Sequence, residues 1–222
     1  MSEGDRMRIV IAGGHGKVAL LLTRLLAGRG DEVFGLVRNP AHTGDLEAAG
    51  ARPVRMSLED TTVDEVAALL DGADAAVFAA GAGPGSGAAR KYTVDRDGSV
   101  LLARAAEAAK VPRFLQISSA GAGQPVTRGD ETWAAYIDAK TQAEEDLRAR
   151  PLDWTILRPG SLTDEPGTGL VTLTEPPGAR GAIPRADVAA VLAAVLDAPG
   201  TIGKTLELIA GSTPIDQAVA VI

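Results

Sequence analysis

The chain has no cysteine among its 222 residues. That absence excludes disulfides, thiolate metal sites and a cysteine nucleophile together. Histidine is almost absent, His15 and His42 being the two present, so no histidine-built metal centre is expected. Aromatic residues make up 3% of the chain against 45% hydrophobic residues overall, so a sizeable core has to be built from Ala, Val, Leu and Ile. Basic residues are in deficit, 22 Lys plus Arg facing 29 Asp plus Glu for a formal charge of −7. No Lys/Arg cluster stands out, and nucleic-acid binding, which needs a basic surface to neutralise phosphates, is not expected. No apolar run approaches the roughly 18–20 residues of a membrane span. The opening MSEGDRMRIV is polar and then enters an apolar run directly. No signal peptide is expected from it, and the cytoplasm is the default location.

What is present begins at residue 9, with IVIAGGHGKVA. Arg8–Ala12 reads as a short buried strand, and Lys17–Ala27 as a helix. Gly13, Gly14 and Gly16 lie between them. A glycine-rich turn from strand to helix exposes backbone N–H groups at a positive helix terminus, which suits a pyrophosphate. Gly13 permits the tight turn, Gly16 lets a phosphate approach the backbone, and Ala19 lets the helix pack close to the strand. The spacing Gly13-x-x-Gly16-x-x-Ala19 differs from the commoner G-x-G-x-x-G, and a plain tight turn is the bland alternative.

Apolar runs then alternate with helical patterns. Strands are expected at Val33–Val37, Pro53–Met56, Ala75–Ala80, Phe114–Ile117 and Thr155–Leu157. Helices are expected at Asp45–Ala49, Thr62–Leu70, Val94–Lys110 and Thr132–Arg148. Repeated βα units predict an α/β fold with a doubly wound parallel sheet covered on both faces. After Gly160 the texture changes: the turn-rich DEPGTG and EPPGARG bracket a strand at Leu170–Thr174. A helix from Pro184 to Leu196, a strand at Thr205–Ile209 and a terminal helix or turn at Ile215–Val219 follow. One domain over residues 1–222 is expected, with residues 160–222 partly forming a small substrate-side cap. GAGPGSG, directly after the fourth strand, reads as a binding loop at the cofactor edge.

Three positions carry candidate chemistry. The second strand ends at Val37, about twenty residues after the glycines, where an NAD enzyme often places a carboxylate for the ribose hydroxyl. Arg38 stands there instead, and an arginine suits a 2′-phosphate, so NADP is expected, with NAD the alternative. The other reading is a solvated surface arginine. Ser118-Ser119 closes the fifth strand, and Tyr136 and Lys140 follow in YIDAK. Spaced four apart on a helix, they share a face. A lysine beside a tyrosine lowers the phenol pKa, so the phenol can exchange a proton with a substrate oxygen. A solvated helix face is again the bland alternative.

These stretches, with LVRNP, VDRDGSVLLARAAEAAKVPRFLQISSAGA, YIDAKTQAEEDLRARPLDWTILRPGSLTDEPGTG and PRADVAAVL, resemble an atypical short-chain dehydrogenase/reductase of the NmrA-like, NAD(P)-binding kind. The chain is also similar to the flavin/biliverdin-IXβ reductase branch. The resemblance covers most of the chain and implies a Rossmann fold with a bound dinucleotide. It implies cofactor contacts at Gly13, His15, Gly16, Lys17, Val18 and Arg38, and in the loop Ala80, Gly81, Ala82 and Gly83. It implies a nicotinamide-side loop at Pro159, Gly160 and Ser161, and catalytic roles for Ser119, Tyr136 and Lys140, with Lys140 also on the nicotinamide ribose. The turn reads GGHGKVA where extended-type relatives usually have TGATGxxG. Lys17 either meets the pyrophosphate or sits on the exposed first turn, and His15 reads as positioned by its backbone rather than catalytic.

Two classes of function follow. The first is an enzyme, an NADP-dependent reductase of a small acceptor, with epimerase or dehydratase chemistry as a variant in which hydride leaves and returns to one substrate. The second is a non-catalytic NADP(H) redox sensor read by a protein partner. The intact Ser119, Tyr136 and Lys140 favour the enzyme. A small-molecule substrate is the expected partner; a homo-oligomer is left open.

Overall fold

The computed structural model describes residues 6–83, 85–127 and 129–222. The polar opening, residues 1–5, and Pro84 of the GAGPGSG loop lie outside the described residues.

The strands are β1 (Arg8–Ala12), β2 (Glu32–Val37), β3 (Arg52–Arg55), β4 (Ala75–Phe78), β5 (Arg113–Ile117), β6 (Asp153–Pro159), β7 (Ser161–Thr163), β8 (Leu170–Thr174), β9 (Ala182–Pro184), β10 (Lys204–Ala210) and β11 (Thr213–Pro214). The helices are α1 (Lys17–Gly28), α2 (Thr43–Ala48), α3 (Val63–Leu70), α4 (Gly87–Arg90), α5 (Gly98–Ala108), α6 (Glu131–Arg148), α7 (Arg185–Leu196) and α8 (Ile215–Ala220). The main sheet runs β11-β8-β10-β6-β5-β4-β1-β2-β3. From β3 to β10 every neighbouring pair is parallel, and β8 and β11 close that edge antiparallel. This is the doubly wound order, and it reverses between β1 and β4.

Alternation along the strands decides the two layers, because successive side chains point to opposite faces. Ile9 and Ile11 of β1 pack with α1 and α7, through Leu22, Leu26, Val188 and Leu192. Val10 and Ala12 pack on the other face with α3, α5 and α6, through Val66, Leu70, Leu102 and Leu147. Each fully buried leucine contributes roughly 1.5–3 kcal/mol. Both faces of the central strands are therefore apolar, as a parallel sheet covered by helices requires.

A buried arginine ties the two ends of the chain's order together. Arg113 of β5 donates to the C-terminal carbonyls of α7, Val195 and Leu196, and to Thr155 and Thr201. Burial pushes its pKa down to about 10, so it still carries its charge at neutral pH.

Four differences from the sequence reading matter for the site. The helix expected at Val94–Lys110 begins earlier and changes type: α4 leads into a π-helical stretch, Lys91–Asp97, before α5. Contacts from α6 hold this wider turn, Tyr92 donating to Asp138 at 2.8 Å and Arg96 to Gln142 at 3.0 Å. The strand expected at Ala75–Ala80 stops at Phe78, and Ala79 and Ala80 pass irregularly over the glycine turn. The segment after Gly160 divides: β8, β10, β11 and α7 extend the main sheet, while β7 and β9 form a separate parallel pair at the end of β6. Neither β7 nor β9 was expected, because three-residue strands among turns carry no readable period. No helix among the described residues is long and apolar enough to cross a membrane.

Candidate cofactor and active site

Helix α1 begins at Gly16 with no side-chain cap and no acidic residue in its first turn. Its first N–H groups, those of Lys17, Val18 and Ala19, have no intrahelical partner. Gly13 has φ +78°, and a Cβ built on it would lie 2.5 Å from Ala80 Cα. The turn thus presses the end of β1 against the end of β4, at the reversal of the strand order. The uncapped terminus and the glycine cradle fit a pyrophosphate.

A cavity of about 320 Å³ opens beside this turn. Gly13, His15, Gly16, Arg38, Ala80, Gly81 and Ala82, all expected cofactor contacts, line it together. His15 donates to the Asp45 carboxylate at 2.7 Å and stacks on His42, ring centres 3.6 Å apart. Arg38 and Arg90 converge on Glu59, at 3.0 and 2.6 Å, and Thr93 donates to the same carboxylate at 2.8 Å. The Arg90 hydrogen bond, above all, holds the Glu59 carboxyl below its ordinary value. Lys17 and Val18 are among the expected contacts that do not line the cavity. Lys17 points its ammonium at Asp164, 2.6 Å away, which Arg185 also meets at 2.8 Å. Val18 is buried in the core, so it has only its backbone N–H to offer.

A second cavity, of about 530 Å³, lies at the ends of β5 and β6. Ser119, Pro159, Gly160 and Ser161 line it, with Trp133 and Ile137 of α6. Tyr136 is half-buried and packs on Trp133, ring centres 5.4 Å apart. Lys140 lies 5.8 Å from the centre of the Tyr136 ring and donates to the Ile117 carbonyl, two residues before Ser119, at 3.1 Å. Ser119 lines this cavity where β5 ends, and Tyr136 and Lys140 stand on α6, the helix that carries the lining residues Trp133 and Ile137.

Lys140 also has a partner that spacing did not disclose. Its ammonium is 3.3 Å from Asp95 Oδ1, and both side chains are almost fully buried, at 5% and 1% exposure. Asp95 belongs to the π-helical stretch, and its other oxygen accepts from the Ala82 N–H at 3.0 Å. Lys91 of the same stretch donates to the Gly83 carbonyl at 2.7 Å and lies 5.6 Å from the Tyr136 ring centre. The π turn thus joins the loop of the first cavity to Tyr136 and Lys140 of α6, and such turns recur at functional sites.

Sequence reasoning missed Glu59, Arg90, Asp95, Trp133 and Arg180. Trp133 was within reach, since it sits three residues before Tyr136 on the same helix face. Arg90 falls between the GAGPGSG loop and the helix expected from Val94, and Asp95 sits in that helix's first turn, where nothing in its spacing pointed to Lys140.

Comparison with known proteins agrees with this geometry. A family model described as NAD(P)H-binding matches residues 13–199. An uncharacterized sugar epimerase of Bacillus subtilis strain 168, YhfK, is 36% identical over 214 residues, which cover 96% of this chain and 99% of that one. A solved structure from Bacillus halodurans, provisionally assigned as an NAD-dependent epimerase/dehydratase, is 36% identical with a TM-score of 0.90, over 97% of this chain and 100% of that one. The oxidoreductase ylbE of Lactococcus lactis is 30% identical with a TM-score of 0.84, over 97% of this chain and 96% of that one.

Proposed function

The chain belongs to the NAD(P)H-binding, NmrA-like family of atypical short-chain dehydrogenases/reductases, and from that premise we propose that it transfers hydride between NADP(H) and a small acceptor. The reading rests on one juxtaposition: the uncapped α1 terminus and Ser119, with Lys140 of α6 reaching the Ile117 carbonyl beside it and Tyr136 one turn away, share the carboxyl edge of one parallel sheet. Gly13, Gly16 and the first N–H groups of α1 would hold the pyrophosphate. Arg38 and Arg90 would take the 2′-phosphate, which displaces Glu59 as their anionic partner. Pro159, Gly160 and Ser161 would border the nicotinamide. The bound cofactor supplies or accepts hydride.

The side chains handle the accompanying proton. Ser119 orients the substrate oxygen, and Tyr136 passes the proton to it. Lys140 keeps a positive charge beside the phenol. With three N–H donors and one given to Ile117, it has another for the nicotinamide ribose. Asp95 positions Lys140 and balances its charge in the buried site, where an unpaired ammonium would be costly.

NADPH consumption against quinones, flavins, aldehydes and ketones tests the reading. Tyr136→Phe should lower turnover roughly 10²–10⁴-fold, the usual worth of general acid catalysis, with NADPH affinity unchanged. Lys140→Met should do similar damage and weaken NADPH as well. A substrate that Tyr136→Phe reduces at the wild-type rate would remove the tyrosine from the mechanism.

A second reading, epimerase chemistry, is favoured by the name of the 36%-identical Bacillus subtilis relative. Hydride then returns to the substrate, so sugar isomers interconvert with no net change in NADPH absorbance. Tight NADPH binding with neither activity would point instead to a redox sensor.

A further inference from the structure

The second cavity has one charged side chain in its described lining, Arg180. Its guanidinium makes no ion pair or hydrogen bond among the described residues. An unpaired arginine on a loose tip would be an ordinary solvated group, but this backbone is held on both sides. The Gly178 N–H donates to the Glu207 carboxylate at 2.6 Å, and the Gly181 carbonyl accepts from the Ser161 N–H at 2.9 Å. The contacts are tight enough to exclude side chains: a Cβ on Gly160 would lie 2.2 Å from the Gly181 oxygen. The backbone that carries Arg180 is therefore held next to the loop that borders the nicotinamide in the proposed function, with the side chain exposed. The neighbouring Arg158 is already committed, buried against Glu144 at 2.6 Å. Trp133 and Val126 line the same cavity yet are 45% and 40% exposed, which leaves large apolar surfaces open beside the free charge.

Building on the hydride-transfer reading, we propose that the substrate is a carboxylate-bearing molecule with a flat apolar body. The carboxylate pairs with Arg180, and the body lies on Trp133 and Ile137. A guanidinium matches one carboxylate through two parallel hydrogen bonds. A sugar nucleotide brings a diphosphate with two or more charges, and one arginine is a poor match for it.

The test is binding of 2-naphthoate and of its neutral isostere 2-naphthamide to the full chain, with and without NADP+, by calorimetry and tryptophan fluorescence. The wild type should bind the acid about fivefold more tightly than the amide, a modest factor because Arg180 is exposed. Arg180→Ala should equalise the two, and Arg180→Lys should keep part of the preference. Trp133→Leu should weaken both compounds and remove most of the quenching. Equal affinities in the wild type, binding of neither, or an acid preference that survives Arg180→Ala overturns the inference. Failure to bind NADP+ in the same titrations overturns the functional reading instead, since the acid preference is measured without the cofactor as well.

Discussion

Gly13 and Gly16 belong to one turn but should fail in different ways when given side chains. Gly13→Ala places a Cβ at φ +78°, 2.5 Å from Ala80 Cα and 2.7 Å from its nitrogen. The left-handed backbone costs roughly 1–2 kcal/mol for an L-residue. The overlap is with backbone, so β1 and β4 must part at their ends, and such overpacking costs typically 1–3 kcal/mol. Together about 2–5 kcal/mol is lost, which for a chain of this size lowers Tm by roughly 4–20 °C. Gly16 is different. Its φ of −60° and ψ of 145° suit any residue, and its Cβ would come no nearer than 3.2 Å, to the Gly13 oxygen. Gly16→Val should cost about 1 kcal/mol as a poor helix cap, a few degrees of Tm. Its branched side chain projects over the open N–H groups of α1, so NADPH affinity should fall more than tenfold, about 1.4 kcal/mol or more. Thermal unfolding and calorimetric titration of both variants separate the two effects. Wild-type NADPH affinity in Gly16→Val, or wild-type Tm in Gly13→Ala, refutes this account of the turn.

Arg38→Ala and Arg90→Ala should each narrow a preference for NADPH over NADH, read as the ratio of dissociation constants; a wild type that prefers NADH sinks the 2′-phosphate assignment. Glu59, whose carboxyl is held below its ordinary 4.5 by Arg90 first, stabilises the fold fully above that value and loses the contribution as pH falls through its lower folded value. Glu59→Gln should therefore lower stability above pH 4.5 and flatten the acid limb, the two curves converging as pH falls, and curves that superimpose above pH 4.5 as well would disprove it. Arg113→Met strips the donor from the buried Leu196 carbonyl, while the Val195 carbonyl keeps the Ala198 N–H and the Thr201 hydroxyl, and should cost about 1–3 kcal/mol for the one orphaned group; an unchanged urea midpoint would show that α7 does not depend on it.

By itself the sequence determined what is written locally. The apolar run in RIVIA, the glycines that follow and the helix after them are near-neighbour patterns, so β1, the turn and α1 were legible to within a residue or two. The order of βα units is local too, and with the rules of parallel crossovers it led to the doubly wound sheet and to the expectation of a dinucleotide at its edge. Lys140 could be placed beside Tyr136 because both ride one helix. Tertiary packing decided the rest. Whether residues 91–97 widen into a π turn depends on Asp138 and Gln142 of a distant helix. That Glu59 lies between Arg38 and Arg90, that Asp95 meets Lys140, and that Lys17 turns to Asp164 depend on which loops the sheet brings to its carboxyl edge. A charge chooses its partner by distance in space, across separations that no periodicity encodes, and the chemistry of this site is set by those choices.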